Sequence, residues 1–278
     1  VLVGGARRGL IALAVVVVLV AGTVTAWLVL GGSGASAPGC TVTVSGTAAA
    51  GAAGEVVLSL EQADNAATIA GVGTRLGMPA HAVTVALATA WQESGLRNLP
   101  GGDRDSAGLF QQRPSQGWGS YTEILDPVYA ATAFYRRLNA QQGWTELSVT
   151  EAAQRVQRSA LPLAYARWES RARTAAVALT GQVGAGLTCH DLTVSAPSAD
   201  LAATAGRELG TAALSGAHSP ARGWSIGTWL VAHASLFGID EVTFDGRTWT
   251  AASGGWAQTG AADGVLSLHQ VPAAPPSP

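Results

Sequence analysis

The stretch Ala90-Trp91-Gln92-Glu93-Ser94-Gly95 sets one carboxyl group at the end of an apolar run, just before the chain turns polar and glycine-rich. A glutamate in that position has water on one side and an apolar helix face on the other. Desolvation disfavours the carboxylate and raises its pKa, which suits it to deliver a proton near neutral pH. A lone Glu at a helix end is more often a solvated surface charge, and Glu93 alone would not stand out. It stands out by its company: Ser94, Gly95 and Asn98 follow it, and then the block Gly108-Leu109-Phe110-Gln111.

Glu-Ser-Gly-x-x-Asn followed by Gly-Leu-Phe-Gln is similar to the signature of the lysozyme-like soluble lytic transglycosylases, over roughly residues 60–175. The resemblance implies a helical, lysozyme-like domain that cleaves the β-1,4 bond between MurNAc and GlcNAc in peptidoglycan glycan strands, without a cofactor. It also implies Glu93 as general acid and then base, with the 6-hydroxyl of the muramyl sugar closing onto C1. Ser94 is expected to bond near Glu93 or near the N-acetyl group. Gly108, Phe110, Gln111 and Gln112 are expected to line the cleft, and Asn98 to hold the loop. One departure is clear. The family's later Ala-Tyr-Asn block has no counterpart in Val156-Gln157-Arg158-Ser159-Ala160, where Gln157 stands near the tyrosine position. Gln157 can donate a hydrogen bond to the acid but cannot share a proton as a phenol does. Tyr165, eight residues on, is the other candidate for that place.

Asp103 and Asp105 sit in the loop between the two motif blocks. A carboxylate across the sugar from the acid could activate water and give an inverting muramidase. Asp beside Gly is also ordinary turn chemistry. The stretch 111–118, rich in Gln and Arg with Trp118, has a composition suited to sugar hydroxyls and faces or, equally, to a packed surface loop. Other chemistries lack their residues. No Cys-x-x-Cys, His-Glu-x-x-His, Gly-x-Ser-x-Gly elbow or P-loop occurs, so no metal site or phosphate cradle is expected.

The elements that must carry these groups read as mainly α. Apolar stripes predict helices over 59–77, 79–93, 127–138, 150–159 and 162–179. Gly95 is expected as a C-cap and the Pro-Gly-Gly-Asp stretch as a loop. A short alternating run at 41–44 and a short apolar run at 56–60 suggest an entry hairpin. At the N-terminus, Arg7-Arg8 precedes a charge-free apolar run at 9–30, enough for a hydrocarbon core of roughly 30 Å. The basic pair places the N-terminus in the cytoplasm and the rest outside. The expected organisation is therefore a single-pass anchor (1–30), a flexible extracytoplasmic spacer (31–54) and a lysozyme-like domain (55–190). A linker (191–220), a small α+β module (221–271) and a disordered tail (272–278) follow.

Cys40 and Cys189, the only cysteines, bracket the central domain and are expected to form a disulfide in an exported chain. The net charge of −2 offers no field for nucleic acid, and every basic residue is Arg. Within the C-terminal module, a helix over 221–238 leads to strands at 241–244 and 247–251. An Asp245-Gly246 turn joins those two, and a third strand follows at 264–271. Trp224, Trp229, Trp249 and Trp256 are expected to fill its core rather than stack on sugar. This region resembles C-terminal modules of actinobacterial wall-active proteins. The rival to an enzyme is a non-catalytic wall-binding or assembly protein on the same scaffold.

Overall fold

The computed structural model describes residues 37–45, 52, 54–159, 161 and 163–272. The expected membrane span at 9–30, part of the 31–54 spacer and all of the tail but Pro272 lie outside the described residues. Among the described residues, no helix is long and apolar enough to cross a membrane.

The chain enters through β1 (Gly39–Val44) and β2 (Gly54–Ser59), an antiparallel pair with Gly39 opposite Ser59. Val42, Val44, Val56 and Leu58 point inward by strand alternation. The spacer thus already contains a core strand. Ser59 ends β2 and caps α1 (Leu60–Arg75), with Gln62 closing a reciprocal capping box. After Pro79 comes α2 (Ala80–Ser94), buried along nearly its whole length. A helix apolar all round belongs in a core, and α2 lies against four helices: α1, α4 (Pro127–Asn139), α5 (Val149–Gln157) and α6 (Glu169–Leu179). The short α3 (Tyr121–Ile124) precedes α4. Only the two ends of α2 reach the surface, and Glu93 is at the C-terminal one.

The helix expected over 162–179 is shorter than its stripe. The chain turns at 163–165, makes a 3₁₀ turn at Ala166–Trp168 and becomes α-helical at Glu169. β3 (Leu187–His190), not foreseen, pairs antiparallel with the other side of β1. Cys189 stands directly opposite Cys40 there, and the two are disulfide-bonded. The cysteines therefore staple the first and last strands of one three-stranded sheet, ordered β2-β1-β3.

Beyond this point the structure corrects the expected division into linker and separate module. The linker contains α7 (Leu201–Leu209), which packs on α1. After β4 (Gly216–Ala217), α8 (Pro220–Ala232) lies against α1, α6 and β3. The 221–238 helix breaks at His233 before α9 (Ala234–Phe237). The strands β5 (Ile239–Phe244), β6 (Arg247–Thr250), β7 (Trp256–Gln258) and β8 (Val265–Gln270) form a five-stranded antiparallel sheet with β4, ordered β4-β8-β5-β6-β7. The Asp245-Gly246 turn joins β5 to β6 with both residues at positive φ, the geometry that matches strand twist.

Tryptophans join the two sheets. The indole of Trp249 donates to the Cys189 carbonyl at 3.2 Å, and that of Trp256 to the Leu187 carbonyl at 2.8 Å, covering the outer edge of β3. Trp224, Trp229 and Trp249 are buried and Trp256 half-buried, as core-filling predicts. Among the described residues, everything from Pro38 onward forms one compact unit of mixed α+β structure with two antiparallel sheets, rather than a mainly α domain with an appendage.

Candidate active site

Four consecutive side chains at the end of α2 tie the segments around a cleft to that helix. Trp91 stacks on Trp168 with ring centroids 6.3 Å apart. The Oε1 of Gln92 accepts from Trp168 Nε1 at 3.0 Å and Arg167 Nη2 at 2.9 Å. These contacts pin the 3₁₀ turn that follows Tyr165. As a result the Tyr165 hydroxyl donates to Glu93 Oε1 at 2.8 Å. The Ser94 hydroxyl bonds to the Leu109 carbonyl at 2.7 Å and to Ala90, its own helix, at 3.0 Å. Gly95 then terminates α2 in the left-handed conformation, as expected of a C-cap.

Glu93 is half-buried, and desolvation pushes its carboxyl above the ordinary glutamate range. The hydrogen bonds from Tyr165 and Gln157 act the other way, by stabilising the carboxylate, but are the smaller effects. The Tyr165 phenol, fully buried, is driven well above its usual value by burial and by the neighbouring carboxylate, so it stays a donor. Tyr165 therefore fills the place that the sequence left open between it and Gln157. Gln157 Nε2 donates at 2.8 Å to the Phe110 carbonyl, tying the end of α5 to the loop.

Glu93, Asp103, Ser106, Gln111, Gln157 and Arg158 border a largely polar cleft of about 600 Å³, within the usual size of a ligand site. Gln111 is there as expected. Its backbone is left-handed (φ 47°), and its side chain is held by Ser106 at 3.0 Å and the Gly108 carbonyl at 3.1 Å.

The other motif residues act from behind the cleft, which corrects four expectations. Phe110 is fully buried, its ring stacked 4.8 Å from Phe134, and only its carbonyl reaches the site. Gln112 is buried as well, donating to the Ala130 carbonyl at 3.0 Å and pairing its backbone with Ala107. Neither side chain is open to the cleft. Ser94 spends its hydroxyl proton on main-chain carbonyls instead of on substrate. Gly108 does not border the cleft. At φ +77° a Cβ there would stand 2.3 Å from the Ile124 carbonyl, so glycine is required to let the loop pass. Asn98 holds that loop as expected, donating to the Leu125 carbonyl at 2.8 Å.

The two loop aspartates differ. Asp105 accepts from the Ser115 N–H at 2.8 Å and from Arg113 Nε at 2.7 Å, and these bonds hold its carboxyl far below the usual range. It does not border the cleft and is committed to the loop, so it does not fit water activation. Asp103 does border the cleft, is almost fully exposed, and has only Arg104 at 3.9 Å. Sequence reasoning missed Ser106 and Arg158. Ser106 shows no signal beyond its place between the motif blocks. Arg158 lay inside the block read for a tyrosine. Among the described residues, no group of three His, Cys, Asp or Glu is placed to hold a metal ion.

No family model and no curated protein matches the chain significantly.

Proposed function

We propose that the protein is a peptidoglycan-cleaving enzyme of the lytic transglycosylase type, with Glu93 as its general acid and base. The observation that carries this reading is the Glu93–Tyr165 pair at the edge of a polar cleft. It is a carboxyl whose pKa burial raises, held in orientation by a phenol, and open to a ligand on one side. In the proposed reaction the Glu93 proton passes to the glycosidic oxygen as the C1–O bond breaks and positive charge develops on the sugar ring. The resulting carboxylate then takes the proton of the muramyl 6-hydroxyl as that oxygen closes onto C1. The leaving sugar departs with its new hydroxyl, and an anhydro end remains. Tyr165 is a positioning residue throughout. Gln111 and Gln157, planar amides beside Glu93, suit sugar hydroxyls and N-acetyl groups.

A hydrolytic outcome has one specific support, the exposed carboxyl of Asp103 bordering the same cleft. The Cys40–Cys189 bond fits an oxidising, extracytoplasmic setting, which agrees with the proposed anchoring of residues 9–30 in the cytoplasmic membrane. The purified full chain incubated with peptidoglycan tests the reading. Anhydro-muropeptides that vanish in Glu93→Gln support the lyase. Reducing ends that vanish in Asp103→Asn support the inverting muramidase. Binding without any release identifies a non-catalytic wall-binding protein.

A further inference from the structure

Beside the Glu93 cleft lies a second recess of about 350 Å³, and Gln116, Trp118, Gln157 and Arg158 wall both. The two adjoin as one groove. They differ in charge. Arg137, Arg155 and Arg158 border the second recess, and none of its lining residues is acidic. Arg113, on the adjoining cleft, is by contrast neutralised by Asp105. None of these three is within ion-pair distance of a carboxylate among the described residues.

Neutral acceptors hold two of them instead. Arg137 stacks 3.6 Å over the Trp118 ring and donates to the Gln116 and Gly117 carbonyls. Arg155 donates to the Gln142 carbonyl at 3.0 Å. Glu151, one turn before Arg155, is held by the Ser148 capping box beyond ion-pair distance, although its carboxyl still feels the Arg155 charge. Burial and the nearby Arg158 both disfavour the charged form of Arg137, so these two guanidinium groups repel each other and an anion between them would relieve it. Guanidinium groups bind carboxylate and phosphoryl oxygens through paired hydrogen bonds, with more geometric specificity than an ammonium gives.

We propose that this end of the groove is a subsite for an anionic substituent, carboxylate or phosphoryl, carried by a glycan whose backbone lies along the cleft past Glu93. The subsite rests on the glycan-cleaving reading above. It makes substrate choice depend on what decorates the strand, and not on the sugar backbone alone. Exposed Arg155 borders only the second recess, so it isolates the subsite from the cleft.

The test is binding of three glycan ligands of equal length to the full chain carrying Glu93→Gln, which prevents turnover. One is a neutral N-acetylglucosamine oligomer, one a strand bearing peptide carboxylates, and one a phosphorylated strand. At least one anionic strand is expected to bind about tenfold more tightly than the neutral one. That preference should shrink between about 0.05 M and about 0.5 M salt, and the strand that shows it identifies the source of the anion. Arg155→Ala should reduce the preference several-fold with neutral-strand binding unchanged, and Arg155→Ala with Arg158→Ala should remove it. If all three strands bind equally, the subsite is wrong and the glycan reading survives. If no strand binds, the glycan reading fails and takes the subsite with it.

Discussion

Glu93 and Glu208 are both glutamates whose carboxyls burial pushes above the ordinary range, yet they have opposite surroundings. Glu208, on α7, is 5% exposed. It accepts from the Trp229 indole at 2.7 Å and lies 3.7 Å from His233 Nε2. That imidazole is itself held, with Nδ1 bonded to the Trp229 carbonyl at 2.8 Å and Nε2 3.0 Å from Asp64. The cluster therefore joins α1, α7 and α8. Asp64 and His233 border a small recess beside it, and Glu208 does not. Glu93 has a phenol and an amide on one side and an open cleft on the other. A raised carboxyl marks burial in both places. The free approach to it, not the shift, separates a site that can do chemistry from a clamp that holds the fold.

Exchanging the two roles by mutation tests that contrast. The largest effect should come from Glu93→Gln, which removes the transferable proton and keeps the shape. Release of muropeptides should fall by about 10³-fold, in the range expected of a general acid, while the thermal midpoint stays or rises. A variant that keeps its activity would break the assignment. The reverse pattern is expected for Glu208→Ala, which strips the Trp229 indole and the imidazole of a buried partner. It should cost about 3 kcal/mol in urea unfolding. An unchanged midpoint there would mean that the cluster is no clamp.

Tyr165→Phe sharpens the comparison within the site. With its hydroxyl gone, Glu93 is less firmly oriented, and turnover should drop about tenfold. The lost bond had stabilised the carboxylate, so the pKa of Glu93 should rise further. Activity needs the protonated acid and declines as pH rises through that pKa. The alkaline limb of the rate profile should therefore move to higher pH, and a shift to lower pH would contradict the hydrogen bond as described.

The smallest effect is on stability against pH. Both glutamates have folded-state pKa values above the ordinary 4.5. The folded protein thus binds more protons than the unfolded chain in the window above 4.5, and its stability declines as pH rises through the raised values. Glu93→Gln removes one of the two contributors, so the decline should be shallower than in the parent chain and not absent. Calorimetry over that window measures the difference.

What the sequence alone determined is local. Alternation at 41–44, the apolar run at 56–60, the Asp245-Gly246 turn, the Gly95 cap and the apolar length of α2 depend on dihedral preferences and periodicity within a few residues. They placed Glu93 at a helix end before a loop. Motif spacing also brought Gln111 to the cleft and Asn98 to the loop. Only the tertiary structure decided which motif residues face the cleft. Phe110 and Gln112 read like cleft residues because identity does not reveal direction, and a one-residue change of facing separates Gln111 in the cleft from Gln112 in the core. The pairing of Glu93 with Tyr165 spans 72 positions. It depends on Gln92 and Trp91 pinning a turn that helical periodicity had extended through. In the same way, β3 exists because Cys189 comes to lie opposite Cys40, and α7 because the expected linker has α1 to pack against. Those contacts join distant segments, and only the packed core, through shape and hydrogen-bond satisfaction, selects among them.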